Sequence, residues 1–168
     1  INKIQDSFDQ LGYVVDEELA TVLFLMMTLR KPLLLEGHPG VGKTEIANVL
    51  SAYLNTELIR LQCYEGLDVH SSMYEWNYQK QLLSIKIREN SAESEIEKEK
   101  LIFGRDYILE RPLLKAITSK EKSPVLLIDE IDRADEEFEA FLLEMLSANQ
   151  ISIPELGTIK ATYPPLVV

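Results

Sequence analysis

Gly37-His38-Pro39-Gly40-Val41-Gly42-Lys43-Thr44 fits the pattern G-x-x-x-x-G-K-[ST]. The residue types have physical reasons. Glycines let the backbone turn tightly and bring its N–H groups against an anion. Lys43 is a mobile positive charge suited to the β- and γ-phosphates of a nucleotide. Thr44 offers a hydroxyl to Mg²⁺, a cation that prefers oxygen ligands. A helix starting near Gly42 adds the positive end of its dipole. The stretch reads as a phosphate-wrapping loop, with these eight residues and the following Glu45 as candidate contacts.

The flanks suit such a loop. Pro32-Leu33-Leu34-Leu35 reads as a short buried strand. Thr44 to about Tyr53 reads as a helix, with Ile46, Val49 and Leu50 on one face. Far downstream, Val125-Leu126-Leu127-Ile128-Asp129-Glu130 has four apolar residues ending in two carboxylates. That pattern predicts a central parallel strand, buried on both faces, with its acidic end beside the loop. Asp129 suits Mg²⁺, directly or through water. Glu130 suits the orientation and deprotonation of an attacking water. The candidate catalytic residues are therefore Glu130 and Lys43, and the candidate metal ligands are Thr44 and Asp129.

The rest of the chain reads as alternating helices and strands. Ile4, Phe8 and Leu11 have helical spacing, and Gly12 ends that piece. Asp16 is a good N-cap for a helix to about Leu29, apolar almost all round and so expected to be buried; Pro32 stops it. Val14 and Val15, in the connector before it, are candidate contacts to a nucleotide base, or plain core. Glu57 to Leu61 alternates like a strand. Trp76 to Ile87 is expected to be helical. Glu89 to Lys100 is charged and reads as a solvated helix or loose insertion, with an interaction surface as the alternative. Arg105 to Thr118 has a helical pattern with Pro112 inside it, so a kink or a break is expected near Arg111. Asp135 caps a helix whose apolar face is Phe138, Phe141, Leu142, Met145 and Leu146, with Asn149 at its stop. Gln150 to Thr162 reads as a hairpin and Leu166-Val167-Val168 as a last strand.

Composition narrows the function classes. The chain has 168 residues, 46% of them hydrophobic, enough for a globular core. Its net charge of −11 argues against a broad electrostatic grip on nucleic acid. Cys63 stands alone, so no internal disulfide forms; it suits a reducing compartment and reads as a small buried hydrophobe. The apolar stretch Leu19–Leu29 is too short to span a bilayer. With no leader-like segment at Ile1-Asn2-Lys3, a cytoplasmic setting is expected. The apolar end at Val168 suggests a fragment of a longer chain. Asp129 beside Glu130 favours hydrolysis over transfer to a small-molecule acceptor. A P-loop small-molecule kinase and a nucleotide-gated assembly module are the alternatives.

Longer stretches carry a family resemblance. The loop at 37–44, Leu126-Leu127-Ile128-Asp129-Glu130-Ile131-Asp132-Arg133-Ala134 and Phe141-Leu142-Leu143-Glu144-Met145-Leu146 together resemble a MoxR-type AAA+ ATPase. Leu61-Gln62-Cys63-Tyr64-Glu65-Gly66-Leu67-Asp68 and Ile151-Ser152-Ile153-Pro154-Glu155-Leu156-Gly157-Thr158-Ile159 resemble its CoxD-like branch. The resemblance implies an α/β P-loop NTPase core, a parallel sheet flanked by helices, over residues 1–168. It implies an insertion at 67–103 and a chain that stops before the last strands, the sensor residue, the arginine finger and the helical lid. It also implies ATP and Mg²⁺ as cofactors and a ring, usually a hexamer, with ATP at subunit interfaces. The implied work is chaperone-like remodelling of a client, often with a partner bearing a von Willebrand factor A domain. In the CoxD-like branch the implied clients are molybdenum hydroxylases of the carbon monoxide dehydrogenase type. The chain departs from the pattern at Asp132, where many relatives have Asn, and at Arg111-Pro112, where a Gly-Pro pair is usual. Arg133 reads as a capping or surface residue, with contact to a ring neighbour as the alternative.

Overall fold

The computed structural model describes residues 1–38, 40–89 and 94–168. It opens with α1 (Asn2–Gln10), which buries Ile4 and Phe8. Gly12, at φ 81°, turns the chain into the connector. In α2 (Glu17–Leu29) the Asp16 carboxylate accepts the Leu19 N–H at 2.8 Å, and Glu17 and Glu18 lie in the first turn. Only one stripe of α2 is buried, at Ala20, Leu23 and Met26. Phe24, Leu25 and Leu29 are exposed, which corrects the expectation of a helix buried all round. The helix lies in an outer layer, so one face meets the core.

Residues 32–35 do not form the short buried strand expected there, and Leu34 is exposed. Leu33 donates its N–H to the carbonyl of Val167 at 2.9 Å, so the segment runs beside the last strand with one ladder-like bond. Pro32 has no N–H to extend that ladder. After the phosphate loop come α3 (Lys43–Leu54) and β1 (Leu58–Gln62). Then follow α4 (Val69–Met73), β2 (Tyr74–Trp76), α5 (Tyr78–Ile87) and α6 (Glu95–Ile102). Trp76, expected in a helix, ends a strand instead, and Asn77 caps α5 by accepting the Lys80 N–H. The acidic segment holds a real helix: Ser94 and Glu97 form a capping box at the start of α6. Residues 90–93 of that segment lie outside the described residues.

The expected helix from Arg105 is replaced by a 3₁₀ turn (Arg105–Tyr107) and β3 (Ile108–Glu110). β3 pairs antiparallel with β2, Trp76 opposite Ile108, so both ends of the α5–α6 excursion share one base. Pro112 then begins α7 (Pro112–Ile117) rather than kinking a helix, because a first-turn residue has no intrahelical N–H bond to lose. β4 (Val125–Asp129), a 3₁₀ turn (Ile131–Arg133), α8 (Glu136–Ala148), β5 (Gln150–Ile153), β6 (Gly157–Lys160) and β7 (Leu166–Val167) complete the chain.

The sheet order is β1-β4-β7, parallel at both joins, with Gln62 opposite Asp129 and Val125 opposite Leu166. β4 is central and buried on both faces. Leu126 faces a cluster with Ile59, Leu61, Leu113, Phe138, Met145 and Ile151, from β1, α7, α8 and the β5–β6 hairpin. Val125 and Leu127 face Phe8, Leu23 and Leu50, from α1, α2 and α3. Period-2 alternation along five residues thus joins two helical layers through one strand. Burying each such large side chain contributes about 1.5–3 kcal/mol. These layers hold the C-terminal end of β4 next to the start of α3. Among the described residues no helix is long and apolar enough to cross a membrane.

Candidate nucleotide site

A cleft of about 810 Å³ lies at the C-terminal edge of the parallel sheet. That is the size range of small-molecule sites, and this edge is where open α/β sheets gather ligands. Its walls include Gly37, Gly40, Gly42, Lys43, Thr44 and Glu45 on one side and Asp129 to Arg133 on the other. Gly40 and Gly42 sit at φ 84° and 88°, backbone that residues with a Cβ rarely adopt. Gly42 is also the N-cap of α3 and brings no side chain to cap it. The helix's first N–H groups are therefore left for an anion. Lys43 donates through Nζ to the carbonyls of Gly37 and His38, the latter at 2.9 Å, which holds the ammonium inside the loop.

Across the cleft, Thr44 Oγ1 lies 3.5 Å from Asp129 Oδ2. Two hard oxygen donors this close are the chemistry Mg²⁺ takes, so the residues present fit that ion. Glu130 follows in the left-handed region, at φ 57°. For a residue with a Cβ this costs about 1–2 kcal/mol. Strain of this kind gathers at functional positions. Its carboxylate pairs with Arg133, Nε to Oε2 at 3.1 Å. The structure thus brings Lys43, Thr44, Asp129 and Glu130 to one opening.

Other candidates stand elsewhere. His38 reaches the site through its backbone carbonyl, and Val41 is exposed. Pro39 lies outside the described residues. The structure does not bring Val14 or Val15 to the cleft: Val15 is buried in the α1–α2–α3 cluster, and Val14 points to solvent, 84% exposed. The connector's residue at the loop is Tyr13, whose hydroxyl donates to the Gly42 carbonyl at 3.4 Å. A Cβ on Gly42 would meet the Tyr13 ring at 3.3 Å. A second unforeseen residue is Arg60 on β1, paired with Asp129 at 2.6 Å. Its signal was present in the alternation of Leu58–Gln62, which puts Arg60 and Gln62 opposite the buried Ile59 and Leu61.

Cys63, at the end of β1, is fully buried. Burial first, then the carboxylates of Asp129, Asp132 and Glu130, push its thiol up from 9.0 to about 11. The thiol is inert by this chemistry. Alkylation by iodoacetamide at pH 8 is expected only after unfolding; rapid labelling of folded protein would contradict its placement. A raised thiol pKa means the folded state holds this proton more tightly. The associated stability is therefore complete below pH 9 and is lost as pH rises through 11. Denaturation midpoints of wild type and Cys63→Ala should diverge in that window, with wild type losing more.

The phosphate loop, its Lys and Thr, and a paired acidic strand end on a parallel sheet define a P-loop nucleoside triphosphatase core. Comparison with known proteins narrows this: the model for the AAA domain, dynein-related subfamily, matches residues 32–166, and the chain belongs to that family. AAA domains are ATP-binding modules of the ring-forming ATPase class. The chain is 30% identical over 140 residues to an uncharacterized protein of Staphylococcus aureus (strain bovine RF122 / ET3-1), covering 83% of this chain and 45% of that protein. It is 28% identical over 150 residues to an uncharacterized protein of Staphylococcus haemolyticus (strain JCSC1435), covering 89% and 49%. The chain spans about half the length of these curated relatives.

Proposed function

We propose that this chain is the nucleotide-handling unit of a Mg²⁺-dependent ATPase that remodels a client protein. The observation that carries the reading is the meeting of Lys43, Thr44, Asp129 and Glu130 around one cleft. The resemblance to the CoxD-like branch of MoxR-type ATPases supports a client among metalloenzymes that need a cofactor inserted. On this reading the protein assembles into a ring, with a hexamer as the expected form, and works in the cytoplasm with a von Willebrand factor A partner. The insertion at 67–103 belongs to the same α/β domain, and the lid lies in a further part of the protein.

The chemistry follows from the side chains. Lys43 leaves the Gly37 and His38 carbonyls and bonds the β- and γ-phosphates, while the first N–H groups of α3 hold the remaining oxygens. Thr44 and Asp129 would hold Mg²⁺, which would supply charge neutralisation on the phosphates. Glu130 accepts a proton from water as the water oxygen bonds the γ-phosphorus and the bond to the β-phosphate oxygen breaks, with ADP as the leaving group; Arg133 orients the carboxylate. Hydrolysis then moves the segment from Tyr64 to Tyr78 against the client.

Mass measurement and phosphate release on the full-length protein test this. ATP with Mg²⁺ is expected to raise the mass to that of a ring, and phosphate should be released without an added acceptor. A constant monomer mass, with ATP consumed only when a small-molecule acceptor is present, would identify a kinase instead.

A further inference from the structure

Arg60 reaches Asp129 from the neighbouring strand, from outside the cleft wall. Gln62 pairs in register with Asp129, and Arg60 stands two residues before it on the same face. One guanidinium nitrogen, Nη2, donates to Asp129 Oδ2 at 2.6 Å and to Gln62 Oε1 at 2.8 Å. The same Oδ2 faces the Thr44 hydroxyl at 3.5 Å. A single carboxylate oxygen is therefore shared between the candidate metal position and a fixed cation. The surroundings sharpen the effect: Glu36, Glu45, Glu130 and Asp132 also line the cleft, against Lys43 and Arg133.

We propose that Arg60 is a positioning residue that competes with the divalent cation for Asp129 and so sets how much Mg²⁺ the site needs. This rests on the reading of Asp129 as a metal ligand. Without metal, Arg60 neutralises Asp129 and lowers the repulsion that a triphosphate meets at the acidic strand end. With metal, the guanidinium gives up Oδ2 and keeps its bond to Gln62. Competition for the oxygen and repulsion between two cations act in the same direction. Arg60 is 54% exposed, so solvent screens the pair and its effect is modest.

The test is equilibrium binding of a fluorescent, non-hydrolysable ATP analogue, titrated with MgCl₂ and repeated in EDTA. For Arg60→Met the Mg²⁺ concentration at half-maximal binding is expected to fall roughly two- to fivefold. Binding in EDTA is expected to weaken. Opposite changes in the two arms are something a purely structural ion pair would not produce. Arg60→Lys, which keeps a cation beside Asp129, should restore part of the wild-type Mg²⁺ midpoint, and it serves as the test variant if Arg60→Met does not fold. An unchanged Mg²⁺ midpoint in both variants, with wild type clearly Mg²⁺-dependent, overturns the role of Arg60 alone. Wild-type binding indifferent to Mg²⁺ overturns the metal reading of Asp129 and this inference with it.

Discussion

Lys43→Ala is expected to reduce ATP affinity about 100-fold or more while leaving the fold in place. A hydrogen bond to a charged group contributes about 1.5–3 kcal/mol. The Lys43 ammonium is placed to make two, one to each of the terminal phosphates, and roughly 1.4 kcal/mol is a tenfold change in affinity. The cost to stability should be small. Lys43 is the first residue of α3, and among the described residues its ammonium bonds to the exposed loop carbonyls of Gly37 and His38. Alanine is a good helix former, and the packing face of α3 is Ile46, Ala47, Val49 and Leu50. Titration calorimetry with ATP and Mg²⁺ measures the first effect and thermal denaturation the second. Near-normal affinity would show that the loop holds phosphate by its backbone alone. Loss of cooperative unfolding would show that Lys43 is structural.

What made the site legible was local. The spacing from Gly37 to Thr44 encodes its own turn geometry, and the apolar run ending in Asp129-Glu130 encodes a strand buried on both faces; β4 and the start of α3 stand where those patterns put them. Caps were legible for the same reason: Asp16 and Asp135 accept N–H groups three residues on, and Asn149 closes α8 in the left-handed conformation. The misread elements depended on partners distant in sequence. Leu109 stands at helical spacing before Leu113 and Ile117, yet pairing of Ile108–Glu110 with Tyr74–Trp76 makes its segment a strand. In sequence Val15 is open to base contact or plain core, and the second reading holds because Ile4 and Phe8 of α1 share its buried cluster. The alternation of Leu58–Gln62 puts Arg60 on the face away from Ile59 and Leu61, but nothing in its own neighbourhood names Asp129 as its partner; only the parallel register does.

Glu130→Gln separates chemistry from binding, and here the expected loss is in turnover. General-base assistance contributes about 10²–10⁴-fold, so ATP hydrolysis by the full-length protein should fall at least about 100-fold. Affinity for ATP should stay within about twofold, since Asp129, Thr44 and Lys43 are untouched. Glutamine keeps the size of Glu130 and must adopt the same left-handed backbone, at φ 57°. It loses the ion pair with Arg133, a contact about half exposed on both sides and so worth little to stability. Near-normal hydrolysis would sink the assignment of Glu130 as the base. Client maturation in cells carrying the same variant decides the larger question. If ATP-driven remodelling is the work, maturation should fail although ATP still binds. If it proceeds, nucleotide binding alone assembles the active form, and the strained carboxylate after β4 serves to release it.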